Sequence, residues 1–161
     1  MTLWLLSLAL VGAVMSVPTP RHRVTVKADQ HTDFRAIHSY AWTPGWASFD
    51  RVLDRHIVEA VDTALAALGL TKRTETASDV IVTYGALRRT DVDLHAAPSP
   101  HSRTCPEYPV GTLVVLMMEP ASRREVFRAR VDVPLETDTA KLEQQIDTIV
   151  AQMFAEYPTR R

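Results

Sequence analysis

The sequence contains a single cysteine, Cys105, among 161 residues. One cysteine cannot form an intramolecular disulfide. It also lies far from the N-terminus, which excludes the acylated cysteine that directly follows the leader of a lipoprotein. We therefore predict a domain that folds without disulfides and has no stable lipid anchor.

The chain also lacks an excess of charge of either sign. It has 18 basic and 19 acidic residues and a formal net charge of −1. A surface that attracts nucleic acid or anionic lipid relies on a basic excess. The composition therefore argues against a nucleic-acid partner.

Motifs of the common enzyme classes are missing as well. The sequence has no Gly-x-Ser-x-Gly elbow, no Walker loop and no Gly-x-Gly-x-x-Gly fingerprint. It also has no Cys-x-x-Cys or His-Glu-x-x-His element. These absences favour a non-catalytic protein without a cofactor.

What the chain does have, first, is an uncharged apolar run at its start, MTLWLLSLALVGAVMS. The run is shorter than the ~20 residues of a membrane-spanning helix and has the length of a signal-peptide apolar region. Val14 and Ser16 supply the −3 and −1 residues of a cleavage site. We predict a signal peptide at 1–16, a linker at 17–22 and a periplasmic or secreted mature protein that starts at Val17. An uncleaved leader that anchors the protein in the membrane is the alternative.

The remainder of the chain predicts one α+β domain at 23–158, followed by a basic tail at 159–161. Alternating and β-branched segments predict about five mostly antiparallel strands. These segments lie at 23–28, 38–42, 79–87, 111–118 and 125–133. The segment 88–109 contains four prolines and no sustained period, so we predict a long loop there.

The first of two amphipathic helices is predicted to start from a cap at Ser48 or Asp50 and to end at Gly69. Its apolar stripe faces the core. Glu59 and Asp62 lie on the opposite face, which we interpret as solvated.

The second amphipathic helix is predicted to start near Asp138 or Thr139 and to end before Pro158. Two helical stripes and one apolar sheet face are buried together if both helices pack side by side on one face of the sheet. The predicted architecture is therefore a two-layer α+β domain.

Four segments in this order resemble a known family. They are DFRAIHSYAW at 33–42, VDTALAALGL at 61–70, SDVIVTY at 78–84 and VGTLVV at 110–115. With them the chain resembles the bacterial envelope proteins grouped as domain of unknown function 4136. The resemblance implies an exported, often lipid-anchored single α+β domain, with no enzymatic activity to carry over. The chain departs from that pattern because it has no lipobox cysteine and has Phe127 in place of a tryptophan.

Three aromatic residues flank a Pro-Gly turn and form the first candidate site, Trp42, Trp46 and Phe49. They predict an aromatic lip that binds a ligand or a partner chain. The alternative interpretation is that they cover the open end of the core where the first helix begins.

The second candidate site lies in the predicted loop and consists of Asp91, Asp93, His95, His101 and Cys105. Alternation would place the first three on one side of an extended segment, and the other two would complete a zinc or copper site. Cys105 and a histidine could instead form a nucleophile and its base. The plain alternative is a solvated loop that carries polar residues.

Three functional hypotheses follow. The leading one is a non-catalytic cell-envelope protein that binds another envelope component or a small apolar ligand through the aromatic turn and the loop. The second is a metal- or thiol-dependent enzyme that uses residues 91–105. The third is a structural module of a larger assembly, which predicts a stable oligomer.

Overall fold

The computed structural model describes residues 23–46, 50–94 and 105–158. The predicted signal peptide, linker and basic tail lie outside these residues and stay predictions. Within the described ranges, no helix is both long enough and apolar enough to cross a bilayer.

Six strands form a single sheet. In chain order they are β1 (Thr25–Ala28), β2 (Ser39–Trp42), β3 (Thr71–Lys72), β4 (Val80–Val92), β5 (Glu107–Met118) and β6 (Glu125–Pro134). Their order across the sheet is β1-β6-β5-β4-β2-β3. The strands β4, β5 and β6 form an antiparallel meander, and β1 pairs antiparallel with β6. In contrast, β2 is parallel to both β3 and β4.

The two helices are α1 (Arg51–Ala67) and α2 (Thr139–Ala155). Asp50 caps α1 by accepting hydrogen bonds from the first-turn amides, and Asp138 caps α2 in the same way. The starts of both helices line one cavity, and their later halves line the groove between them. The helices therefore run side by side in the same direction.

The core lies between the helices and the sheet face beneath them. Phe127, at its centre, is fully buried. Its ring stacks on Phe154 of α2, with centroids 5.7 Å apart and planes 17° from parallel. Tyr157, just after α2, packs against the same ring at 5.3 Å. This aromatic cluster joins α2 to β6.

The predicted α+β class, with both helices on one face, is confirmed, and two details of the sheet differ. The sheet has six strands, one more than predicted. The additional strand, β3, has only two residues and is too short to show a periodic pattern in the sequence. The sheet is mixed because α1 connects β2 to β3 and β4, and a helical crossover makes the joined strands parallel.

The predicted loop at 88–109 is shorter than expected, since β4 continues to Val92 and β5 starts at Glu107. This outer half of the hairpin extends beyond the core. Most of its side chains are exposed, and beyond the short alternation at 91–95 the segment has no sustained period, so the sequence predicts a loop here.

Candidate functional site

Between β2 and α1 the chain runs alongside β4 and places Trp46 next to Gly85. The Trp46 amide donates to the Tyr84 carbonyl, and the Ala86 amide donates to the Trp46 carbonyl, both at 3.0 Å. Gly45 permits this close approach, because a Cβ atom there would collide with the Tyr84 carbonyl oxygen. The Pro-Gly turn therefore determines where Trp46 lies.

The side chain of Trp46 lies on the sheet face opposite the helices. Side chains alternate along a strand, and Val82 and Tyr84 point into the core beneath the helices. Gly85 therefore faces the other side. A Cβ atom built on Gly85 would lie 3.7 Å from Cε3 of the Trp46 indole, so the indole shares that side. It is 78% exposed.

Trp46 has apolar neighbours on this face. Leu87, two residues beyond Gly85 on β4, is 62% exposed. Val114, which pairs with Gly85 from β5, is half-buried. We call Trp46, Leu87 and Val114 the Trp46 patch. Large exposed apolar side chains that lie together on one face typically mark an interaction site.

A network of two arginines and two aspartates borders this patch. Asp132 accepts hydrogen bonds from Arg130 and Arg89, at 3.0 and 3.1 Å. Arg89 also binds both carboxylate oxygens of Asp91, at 2.9 and 3.2 Å. The hydrogen bonds from Arg130 and Thr112 hold the pKa of Asp132 well below its usual range, although partial burial opposes this. The two arginines and two aspartates beside the patch are therefore ionised, and their charges cancel.

Trp42 faces the other side of the sheet. Its ring nitrogen donates to Oδ1 of Asp62 on α1, at 2.7 Å. The predicted lip of Trp42, Trp46 and Phe49 is therefore not assembled as one surface, because the two tryptophans lie on opposite faces. Phe49 lies outside the described residues.

Asp62 organises a polar cluster on the helix side. The Tyr40 hydroxyl donates to the same oxygen as Trp42, at 2.7 Å, and the Lys72 ammonium donates to the other oxygen at 2.8 Å. Burial opposes ionisation of Asp62, but the donors Lys72, Trp42 and Tyr40 together lower its pKa. Burial and the Asp62 carboxylate raise the pKa of Tyr40 above its usual range. The cluster ties α1 to β2 and β3.

The prediction that Asp62 belongs to a solvated face is therefore wrong. Glu59, one turn earlier, is exposed as predicted. The sequence did carry a signal for the difference, since Tyr40 and Trp42 alternate on β2 and present two polar ring groups to one side. Their partner on α1 could not be identified before the strand and helix were placed together.

Three of the five predicted metal ligands are described. Asp91 is occupied by its ion pair with Arg89. Asp93 follows the end of β4, and its amide donates to the Pro106 carbonyl at 2.8 Å. Cys105 is half-buried and has a free thiol.

The two remaining predicted ligands, His95 and His101, lie outside the described residues. Among the residues described, no three His, Cys, Asp or Glu side chains are grouped closely enough to hold a metal ion. The proposed metal site and the thiol–histidine pair stay predictions.

A family model described as "Domain of unknown function (DUF4136)" matches residues 24–159. The chain belongs to this family. The resemblance inferred from the four sequence segments is thereby confirmed. A comparison of this DUF4136 chain with the curated proteins found no match.

Solved structures share the fold of this DUF4136 protein. A DUF4136 family protein from Bacteroides thetaiotaomicron has a TM-score of 0.61 at 12% identity, and the match covers 85% of this chain and 96% of that one. The PelC dodecamer from Paraburkholderia phytofirmans has a TM-score of 0.58 at 8% identity, over 87% of this chain and 100% of that one.

A PDZ domain protein from Parabacteroides distasonis has a TM-score of 0.59 at 16% identity. That match covers 87% of this chain but only 36% of the other, so the DUF4136 chain spans about a third of that protein's length. At such low identities, these similarities establish the fold alone.

Proposed function

We propose that this DUF4136 protein is a non-catalytic, exported component of the bacterial cell envelope that binds another envelope polypeptide through the Trp46 patch. The observation that carries the proposal is the position of Trp46. Its indole is 78% exposed on the side of the sheet away from the helices, where it contributes little to the core. An exposed tryptophan beside a second exposed apolar residue forms the kind of apolar surface that marks interaction sites.

The surroundings of Trp46 also suit a protein interface. Such interfaces have an apolar centre, rich in tryptophan, and a polar rim that excludes water. Here Leu87 and Val114 supply apolar surface beside the indole, and the network of Arg89 and Asp132 lies next to them. Because these charges already satisfy each other, a partner can cover the rim without leaving an unpaired ion.

Replacement of Trp46 tests the proposal directly. Truncation of a central interface tryptophan costs about 2 kcal/mol or more, which is about 30-fold in affinity. We expect Trp46→Ala to weaken binding of the envelope partner by that factor without a change in thermal stability. Val52→Ala is the matched control, since Val52 is 57% exposed but lies on α1.

The partner is identified by crosslinking from a photo-reactive amino acid at position 46. Its affinity for each variant is then measured with both proteins purified. Equal crosslinking from positions 46 and 52, or equal affinities of both variants, would show that the patch is not the binding surface.

A second copy of the chain is the other candidate partner. It is favoured by the fold shared with PelC, whose solved form is a dodecamer. In that case the purified protein sediments as a multiple of the mass of one mature chain. The variant Trp46→Ala then becomes monomeric, whereas Val52→Ala does not. A wild-type monomer at all concentrations removes this candidate and leaves the first.

The exported location rests on the apolar leader and is tested by mass. We expect the native protein from the soluble periplasmic or culture fraction to have an intact mass that corresponds to a start at Val17. A full-length mass in the membrane fraction would show instead that the leader is retained as an anchor.

A further inference from the structure

A second apolar site lies on the helix side of the sheet, on the face opposite the Trp46 indole. A cavity of about 230 Å³ opens between the sheet and the starts of α1 and α2. On the sheet it is lined by β4 at 86–88, by β5 at 111–113 and by Val133 of β6. Apolar side chains form most of its wall, among them Leu53, Ile57, Leu113, Leu142, Ile146 and Ile149. The cavity is smaller than the ~300 Å³ lower bound for drug-sized ligands. Its size suits one narrow apolar chain.

The cavity exists because the sheet is longer than the helices that cover it. The strands β4 and β5 continue past the first turns of α1 and α2, and the cavity lies at this end of the sheet, beside Ala86 and Gly111. A Cβ atom at Gly111 would lie 2.5 Å from Cδ2 of Leu135. Because Gly111 has no side chain, the Leu135 side chain can pack against it and form part of the cavity wall.

A cation lies at the mouth of the cavity. Arg88 follows Ala86 by two residues on β4, so its side chain leaves the sheet on the helix side and lines the opening. No ion pair within the described part of the chain involves Arg88. Its neighbour Arg89 points to the other face, where Asp91 and Asp132 bind it. Arg88 is thus available to a ligand.

The starts of the two helices also lie at this end of the domain, but each is already capped by an aspartate, Asp50 on α1 and Asp138 on α2. Asp50 also lines the opening, but it accepts hydrogen bonds from the amides of Val52 and Leu53 at 2.8 and 3.3 Å. Its charge is therefore directed at the cap, whereas the guanidinium of Arg88 faces solvent.

We propose that this cavity binds the acyl chain of a single-chain amphiphile and that Arg88 binds its anionic head group. An acyl chain matches a narrow apolar wall, and a carboxylate or phosphate matches the free guanidinium at the mouth. Carboxylate and phosphate head groups share the required chemistry. The Trp46 indole lies on the opposite face of the sheet, but Leu87 of the Trp46 patch also lines the cavity, so the two sites are neighbours.

Calorimetric titration of the purified protein tests the proposal with a series of saturated fatty acids, each below its micellar concentration. Each buried methylene adds about fourfold in affinity, so binding should tighten by that factor per carbon until the cavity is filled and then level off. An alkyl phosphate and a lysophospholipid of equal chain length distinguish a free acid from a lipid head group. The corresponding uncharged alcohol should bind about fivefold more weakly, the size of an exposed ion pair.

Two substitutions locate the ligand. Ala86→Leu fills the cavity and is expected to abolish binding, while Arg88→Gln should weaken acids but leave alcohols unchanged. Arg55→Gln is the control, since Arg55 is exposed on α1 and does not line the cavity. Absence of binding by every amphiphile, or undiminished binding to a folded Ala86→Leu protein, overturns the proposal. Equal loss of affinity in Arg88→Gln and Arg55→Gln overturns the role of Arg88.

Methyl NMR of the wild-type protein provides a readout that needs no variant. Bound laurate should shift the methyl signals of Ile57, Ile146 and Ile149, which line the cavity. Ile81 is buried on the opposite face of β4 and should not shift. A shift of Ile81 without those of the cavity residues would place the ligand elsewhere and refute the assignment.

Discussion

Replacement of Phe127 by alanine is expected to lower the free energy of unfolding by about 3–5 kcal/mol, the range for a buried aromatic residue cut back to alanine. Phe127 is fully buried, stacks on Phe154 and contacts Tyr157 at 5.3 Å. Its strand neighbours are Ala28 on β1 and Met117 on β5. Removal of this ring therefore opens a cavity at the point where α2 and three strands meet.

Chemical denaturation monitored by circular dichroism measures this effect. The control is Phe127→Leu, which keeps most of the apolar volume and should lose less than half as much stability. If the alanine and leucine variants were equally stable, the aromatic cluster could not be the main link between α2 and the sheet.

The second large effect is expected for Asp62→Ala, which should lower the free energy of unfolding by about 3 kcal/mol. The substitution leaves the Tyr40 hydroxyl and the Trp42 ring nitrogen without their acceptor. A buried donor left unsatisfied costs about 1–3 kcal/mol. Lys72 loses its ion pair as well, but it is half exposed and contributes little.

Glu59→Ala is the matched control, because it removes an acidic residue from the same helix one turn away. As a surface substitution it should change stability by less than about 0.5 kcal/mol. Similar losses in the two variants would indicate a general effect of helix charge, and the hydrogen bonds to Asp62 would then be unimportant.

The stabilising effect of the Asp62 charge should also depend on pH. The pKa of Asp62 is lowered in the folded state, so its charge stabilises the fold at pH values above the unfolded pKa of about 3.9. That contribution disappears as the pH falls through the folded pKa. The stability difference between wild type and Asp62→Asn should thus be constant near neutral pH and shrink below about pH 4. A difference that stays the same at pH 3 would contradict an ionised Asp62.

Much of the fold could be predicted because each element carries its own pattern. The alternation from Phe127 to Val133 marked β6, and the caps Asp50 and Asp138 marked the helix starts. Gly69 ends the first helical segment with a φ of 83°, as its position suggested. These features depend on neighbours in sequence, so sequence alone contains them.

The candidate sites could be predicted only in part, since they depend on which face each side chain takes. Trp42 and Trp46 are four residues apart, but the Pro-Gly turn between them moves the second to the opposite face. The acceptor for Trp42 is Asp62, twenty residues away in sequence. The cavity near Arg88 arises from the relative lengths of strands and helices, which no local pattern records.

The ends of the sheet bear on how the molecule can assemble. The outer strands are β1, with four residues, and β3, with two. Strands this short expose few free backbone groups, and Lys27 places a charge on one of them. Among the described residues, backbone groups without a strand partner lie instead on β4 beyond Ala86 and on β6 beyond Arg130, where neither β2 nor β1 continues. The short outer strands thus limit edge pairing over the core of the sheet, and backbone pairing between copies would be confined to the ends of β4 and β6 that extend beyond them.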